Sequence, residues 1–233
     1  MTERQDLVLI PGLVCDAAVW RHQVEHLADV ATITVAPATT GETVAEMAAD
    51  TLAAAPARFA LAGFSMGGYV ALEMLRQAPE RVTRLALLDT SARRDSTKKG
   101  AWRKQTIAAC ESGEYPGVID GMMGVLLHPD RQHGPLRQFV HGMAARVGAD
   151  CYARRQKAIC GRRDARELLR GTRQPVRAIC GRQDGMSSIA EHEEIAELAP
   201  RGRFSLIEEC GHMTILEQPA AATALLRDWL IYD

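Results

Sequence analysis

Apolar residues along this chain fall into two repeating patterns. Short, nearly continuous apolar runs occupy residues 7–10, 32–35, 59–62, 84–88, 177–180 and 204–207. Between them lie longer stretches in which apolar residues return every three or four positions, at 17–28, 43–55, 66–78, 189–198 and 219–230. The short runs predict strands buried on both faces, and the longer stretches predict helices that lay one stripe against a core. Their alternation predicts an α/β fold, with a mostly parallel central sheet of about six strands and helices on both faces.

The alternation fails once. Residues 90–173 hold no convincing strand pattern, are too many for a loop and are rich in helix formers. They read as an inserted helical cap, with helices expected over 98–112, 118–127, 134–147 and 150–159. The predicted organisation is a core of residues 1–89 plus 174–233 and a cap of residues 90–173. At 233 residues the chain is long enough for a substantial core.

Composition narrows the class of function. A net charge of −1 and 5% aromatic residues give no basis for nucleic-acid binding. The start Met1-Thr2-Glu3-Arg4-Gln5-Asp6 is polar, has no signal-peptide apolar region, and no later segment approaches a membrane-spanning length. Six scattered cysteines without a C-x-x-C pair predict reduced thiols and a cytoplasmic protein, with Cys180 and Cys210 as core fillers. No phosphate loop or dinucleotide fingerprint is present, so no cofactor is expected. His22 and His26 stand one helical turn apart but lack a neighbouring acid or thiol. They, His128, His133 and His141 read as surface histidines rather than metal ligands.

The chemistry concentrates at Gly63-Phe64-Ser65-Met66-Gly67, a G-x-S-x-G with a further Gly68. A strand pattern precedes it, and a helix pattern follows and stops before Pro79. A serine on such a sharp strand-to-helix turn holds its Oγ out of the sheet's end, above the free N–H groups of a helix N-terminus. The bland alternative is a glycine-rich turn with a serine cap. Two further strand ends lead into chemistry-bearing residues, Asp184 after 177–180 and His212 after 204–207. Ligands of open parallel sheets gather beyond the strands' carboxyl ends, so these residues are expected at one edge with Ser65. A serine hydroxyl needs an imidazole to take its proton, and the imidazole needs a carboxylate to fix its tautomer. Asp89, which ends the run 84–88, is a rival for the acid or else a cap for Thr90 and Ser91.

These residues give the chain a family resemblance. Pro11-Gly12-Leu13 with Trp20, the turn at Ser65, and Gly211-His212 followed by Glu217-Gln218-Pro219 make it similar to small α/β-hydrolases with helical caps. That group includes esterases, enol-lactonases and C–C bond hydrolases, and the resemblance is weakest in the cap. It implies the α/β-hydrolase fold and catalytic roles for Ser65, Asp184 and His212. It also implies an oxyanion hole formed by the backbone N–H groups of Leu13 and Met66. Many relatives have His-Gly in place of Pro11-Gly12, and many place a proline after the acid where this chain reads Asp184-Gly185-Met186-Ser187-Ser188.

The expected activity is cofactor-free hydrolysis of a small ester, thioester or lactone, with a small-molecule acyl substrate bounded by Trp20, Met122, Leu126, Met186 and Met213. C–C bond cleavage or a lyase step on the same three residues is the enzymatic alternative, and a ligand receptor on a hydrolase scaffold the non-enzymatic one. The cap and its exit are basic, with Arg154, Arg155, Lys157, Arg162, Arg163, Arg166, Arg170, Arg173 and Arg177. That run reads either as a solvated face or as a docking patch for an anionic substrate or an acidic acyl carrier.

Overall fold

The computed structural model describes residues 4–37 and 40–233, so Met1, Thr2 and Glu3 of the polar start lie outside the described residues. Six strands form one parallel sheet: β1 (Gln5–Ile10), β2 (Ala31–Val35), β3 (Phe59–Phe64), β4 (Val82–Leu88), β5 (Val176–Gly181) and β6 (Gly202–Ile207). Their spatial order is β2-β1-β3-β4-β5-β6, with every neighbouring pair parallel. All six expected strands are present, each longer than its apolar run by one or two residues. Every residue of β3 and β5 is buried, which is why those runs show no polar alternation.

Outside the β4–β5 connection the helices are α1 (Arg21–His26), α2 (Val44–Ala54), α3 (Met66–Gln77), α8 (Ile189–Leu198) and, after β6, the short α9 (Thr214–Glu217) and α10 (Pro219–Tyr232). Helix α2 packs on α3, and α1 on α10, so the two pairs cover the two faces of the sheet. Capping fixes where several begin. Thr43 and Glu46 close a reciprocal capping box on α2, and Ser188 and Glu191 do the same on α8. The helix expected over 17–28 is shorter and mixed. Asp16 caps a 3-10 turn (Ala17–Trp20) before α1 begins, and α1 ends at His26.

Between β4 and β5 lie α4 (Thr97–Glu111), α5 (Tyr115–Leu126), α6 (Pro135–Cys160) and α7 (Arg166–Gly171). Helix α6 is broken at Gly148, whose φ of 74° suits glycine, at the boundary between the two expected segments. The six-residue α7 has no counterpart in the sequence reading, being too short for a periodic pattern. No helix among the described residues is long and apolar enough to cross a membrane.

Two buried arginines hold the inserted helices, Arg155 against core carbonyls and Arg162 over the Tyr69 ring of the core at 4.1 Å. Arg155 is fully buried and donates to the carbonyls of Leu13, Cys15 and Pro37 at 2.7, 3.2 and 3.3 Å. Arg162 pairs with Asp95 at 2.8 Å, and Arg103 pairs with the same carboxylate at 2.6 Å. Arg177 is also buried, between Asp228 and Asp233. The basic run is therefore not one solvated face or one docking patch. Arg155, Arg162 and Arg177 are structural, because a guanidinium's fan of donors can satisfy several buried acceptors at once.

Candidate active site

Parallel register brings the strand ends to one edge. Phe64 pairs with Leu88, and Gly181 with Ile207, so the residues that follow those four positions emerge side by side. Ser65 has φ 55° and ψ −117°, a positive φ that non-glycine residues rarely adopt. The turn is tolerated because its neighbours lack side chains. A Cβ on Gly67 would strike the carbonyls of Ile10 and Pro11, and one on Gly63 the backbone of Gly67 and Gly68. Ser65 N–H donates to the Leu88 carbonyl at 2.9 Å, and Thr90 Oγ1 donates to the Ser65 carbonyl at 2.8 Å.

From there a continuous hydrogen-bonded line runs inward. Ser65 Oγ lies 2.9 Å from His212 Nε2, and His212 Nδ1 lies 2.9 Å from both carboxylate oxygens of Asp184. An ionised carboxylate only accepts, so Nδ1 carries the imidazole proton and Nε2 is free to accept from the serine hydroxyl. The Asp184 and His212 side chains are only 1% and 4% exposed. Burial raises the Asp184 carboxyl, but the neighbouring His212 and the hydrogen bonds from His212 and Ser187 outweigh it. The net effect holds Asp184 below the ordinary carboxylate value.

The loop after Asp184 does without the relatives' proline by folding onto the carboxylate itself. Oδ1 accepts from the N–H groups of Met186 and Ser187 at 2.7 and 3.0 Å, and Oδ2 from the Ser187 hydroxyl at 2.6 Å. The spacing Asp184-x-x-Ser187 was the available signal for this loop, and it went unread.

Asp89 is placed differently. It is buried, with φ 49°, and its Oδ1 accepts from Gly181 N–H at 3.2 Å while Oδ2 accepts from Thr214 N–H at 3.2 Å and from the Thr214 hydroxyl. Its carboxyl is pushed well above its ordinary value, chiefly by burial and then by the charge on Asp184, against the opposing bonds from Thr214 and Gly181. Asp89, Asp184 and Cys180 lie close enough to suggest three ligands for a metal. Their lone pairs are already committed to these backbone amides, to Thr214 and to His212, and burial holds the Cys180 thiol far above its ordinary value. The group does not fit a metal.

Three further supports were not read from the sequence. His192, on α8, is fully buried. Its Nδ1 donates to the Ser188 carbonyl at 2.8 Å and its Nε2 accepts from Thr90 N–H at 2.9 Å, so it is neutral. Burial lowers its pKa from the ordinary histidine value. Glu217 accepts from His128 N–H at 2.8 Å and Met213 N–H at 3.2 Å, and His212 N–H donates to the Leu126 carbonyl at 3.0 Å. The end of α5 is thereby bound to the His212 loop. A lone histidine or glutamate in an amphipathic stretch carries no signal of such contacts.

Ser65 and His212 open onto a cavity of about 30 Å³, room for about two waters. Leu13, Met66, Met122, Leu126, Met186 and Met213 all line it. Met66 begins α3, so its N–H is one of the amides without an intrahelical acceptor. Trp20, expected from the sequence to bound the substrate, does not line the cavity. It is fully buried and stands edge-on to Phe64 at 6.5 Å, one layer behind the site, because the 3-10 turn that carries it faces the core. His22 and His26 stack on each other and bond Thr223 and their own backbone rather than forming a metal site.

The sequence matches the model of the alpha/beta hydrolase family over residues 7–225. A pimeloyl-[acyl-carrier protein] methyl ester esterase of Vibrio parahaemolyticus serotype O3:K6 is 23% identical over 249 residues, covering 96% of this chain and 93% of that one. A thermophilic esterase from Thermogutta terrifontis superposes with a TM-score of 0.87 at 26% identity, covering 97% of this chain and 89% of the other. The enol-lactonase from Burkholderia xenovorans LB400 superposes with a TM-score of 0.88 at 21% identity, covering 98% and 92%, and shares the fold.

Proposed function

The chain belongs to the alpha/beta hydrolase family, and on that premise we propose that it is a serine hydrolase of small carboxylic esters, thioesters or lactones. The observation that carries this reading is the line from Ser65 Oγ through His212 to Asp184, closed at 2.9 Å on each side of the imidazole. Ser65 attacks the carbonyl carbon as His212 Nε2 takes its proton. Asp184 holds the tautomer and stabilises the imidazolium that forms. The tetrahedral oxyanion is received by the N–H groups of Leu13 and Met66, and fixed donors of this kind act most strongly where water is excluded. His212 then protonates the leaving group, activates a water and releases the acyl group from Ser65.

The small cavity favours a short group beside Ser65, with anything longer extending outward past the inserted helices. Several curated relatives are named pimeloyl-[acyl-carrier protein] methyl ester esterases, which supports ester cleavage with a small alcohol as leaving group. An acidic carrier would have to dock on exposed cations such as Arg94, Arg163 and Arg170, since Arg155 and Arg162 are buried. The test is a panel of methyl and aryl esters, lactones and acyl thioesters, run beside labelling by a fluorophosphonate. Ser65→Ala should stay folded, lose the label and lose about four orders of magnitude in turnover. Full labelling of that variant would remove Ser65 as nucleophile.

A further inference from the structure

A cation stands in the wall of the Ser65 cavity and, among the described residues, makes no ion-pair contact with a carboxylate. Lys99 lies in the first turn of α4 and lines the cavity together with Ser65, His212 and Met186. Its Nζ donates to the Met186 carbonyl at 2.9 Å, and among the described residues this is its only polar contact within hydrogen-bond or ion-pair distance. An ammonium has three donors, so two remain for a ligand. The bond to Met186 also fixes where the charge sits, because Met186 belongs to the loop that folds onto Asp184.

The surroundings add positive potential on the same side. The first turn of α4 holds Lys98 and Lys99 and no acid, so both cations sit at the helix end whose dipole is already positive. Arg103, a second residue of the cavity wall, and Arg162 share the single carboxylate of Asp95, which leaves that buried cluster with one net positive charge. The acids facing this side are Glu191, held by Ser188 and near enough for the charge of Lys99 to help lower its carboxyl, and the pair Asp184 and Asp89, held by His212, Thr214 and backbone amides. None forms an ion pair with Lys99. The remaining wall is mostly apolar, with Met122, Leu126 and Met213, and also holds Tyr69, Ser187 and the amide-bonded Asp89. The cavity is thus a short, mostly apolar slot with a cation at one side.

We propose that Lys99 binds the free carboxylate of an anionic ester, so that the preferred substrate is a half-ester of a short dicarboxylic acid. The inference rests on the serine-hydrolase reading above. In a partly buried slot the ammonium-carboxylate contact is less screened than on an open surface. Lys99 and Ser65 line the same small cavity, so a carboxylate held by one and an ester held by the other are separated by only a few bonds.

The experiment compares monomethyl succinate with methyl 4-oxopentanoate, a neutral near-isostere with a methyl ketone in place of the carboxylate. Hydrolysis of both is followed by titration of released acid. The expected result is a kcat/KM at least about tenfold higher for the anionic ester, falling toward parity as salt is raised. Lys99→Met should lower that ratio about tenfold, and Lys99→Arg should retain most of it. A parent ratio near one, or a ratio unchanged in Lys99→Met, overturns the proposal and leaves Lys99 a solvated rim lysine. If neither ester is cleaved but Ser65 is still labelled by fluorophosphonate, the substrate class is wrong and the nucleophile assignment stands. If Ser65 is not labelled either, the hydrolase reading fails first.

Discussion

The ends of β4 and β5 are neighbours in the sheet, and each leads into a buried aspartate, yet the two carboxylates have opposite surroundings. Asp184 faces the imidazole of His212 and is drawn below its ordinary pKa, whereas Asp89 spends its lone pairs on Gly181 and Thr214 and is pushed above it. Both sit beyond a strand's carboxyl end and both approach the His212 loop. Position at the sheet edge therefore does not select the acid. What selects it is which donors reach the carboxylate first: backbone amides and a threonine make Asp89 a clasp joining three loops, and an imidazole N–H makes Asp184 a partner in proton transfer. Two buried carboxylates this close also repel, and only the one beside a group that can become a cation ionises readily.

The sharpest way to break this comparison is to neutralise each acid in turn. Asp184→Asn should lower kcat/KM by about four orders of magnitude, because an amide can stabilise the wrong tautomer of His212. Asp89→Asn should leave far more activity but reduce stability by roughly 1–3 kcal/mol, since its amide NH₂ faces the N–H donors that the carboxylate had accepted. In a chain of this size that is a fall in Tm of about 2–4 °C per kcal/mol. Steady-state kinetics and thermal melts on both variants decide the matter. Equal kinetic losses would move the acid to β4.

A smaller effect is expected from the loop that holds Asp184. Ser187→Ala removes the hydroxyl bond to Oδ2 while the N–H groups of Met186 and Ser187 stay on Oδ1. A lost bond to a charged acceptor is worth about 1.5–3 kcal/mol, so kcat should fall roughly 10- to 100-fold in single-turnover measurements. Ser187→Thr should restore much of the rate. If Ser187→Ala is as active as the parent, the backbone amides alone orient the acid.

Much of this edge was legible in the sequence because each participant sits where a local pattern ends. Ser65 ends an apolar run and opens a helix, and the strand pattern before His212 is as plain. The six strands and the cap helices were legible for the same reason, since burial on one face or two leaves a period in the chain. Asp89 and Asp184 could not be separated with certainty, because their difference lies in contacts with Thr214 and His212, at least 28 positions away along the chain. Trp20 was misplaced because periodicity says that a face is buried but not which layer receives it. Arg162 and Arg177 were counted with the exposed basic run because charge patterning counts arginines without seeing Asp95, Asp228 and Asp233 folded onto them. His192 gave no signal, since its two bonds are to backbone groups.

The smallest expected effect concerns His192 and the response of the fold to acid. Its Nε2 accepts from Thr90, so protonation breaks that bond, and burial has lowered its folded pKa. An unfolded histidine takes a proton at about pH 6.5, so below that pH the unfolded chain binds more protons than the folded one, and stability falls as pH falls. The loss between pH 6.5 and 5 is bounded at about 2 kcal/mol, or 1.5 pH units at about 1.36 kcal/mol each. Asp89 works in the opposite sense. Its raised carboxyl makes the folded chain bind the proton first, so stability is gained as pH falls through its folded pKa toward the ordinary carboxylate value. His192→Gln offers an amide that can both accept from Thr90 and donate to Ser188, without titrating. Thermal melts from pH 7 to 5 should therefore show a shallower decline in the His192→Gln protein than in the parent. The same slope in both proteins would assign the acid sensitivity to other groups and leave His192 as a charge-silent support beneath Ser65.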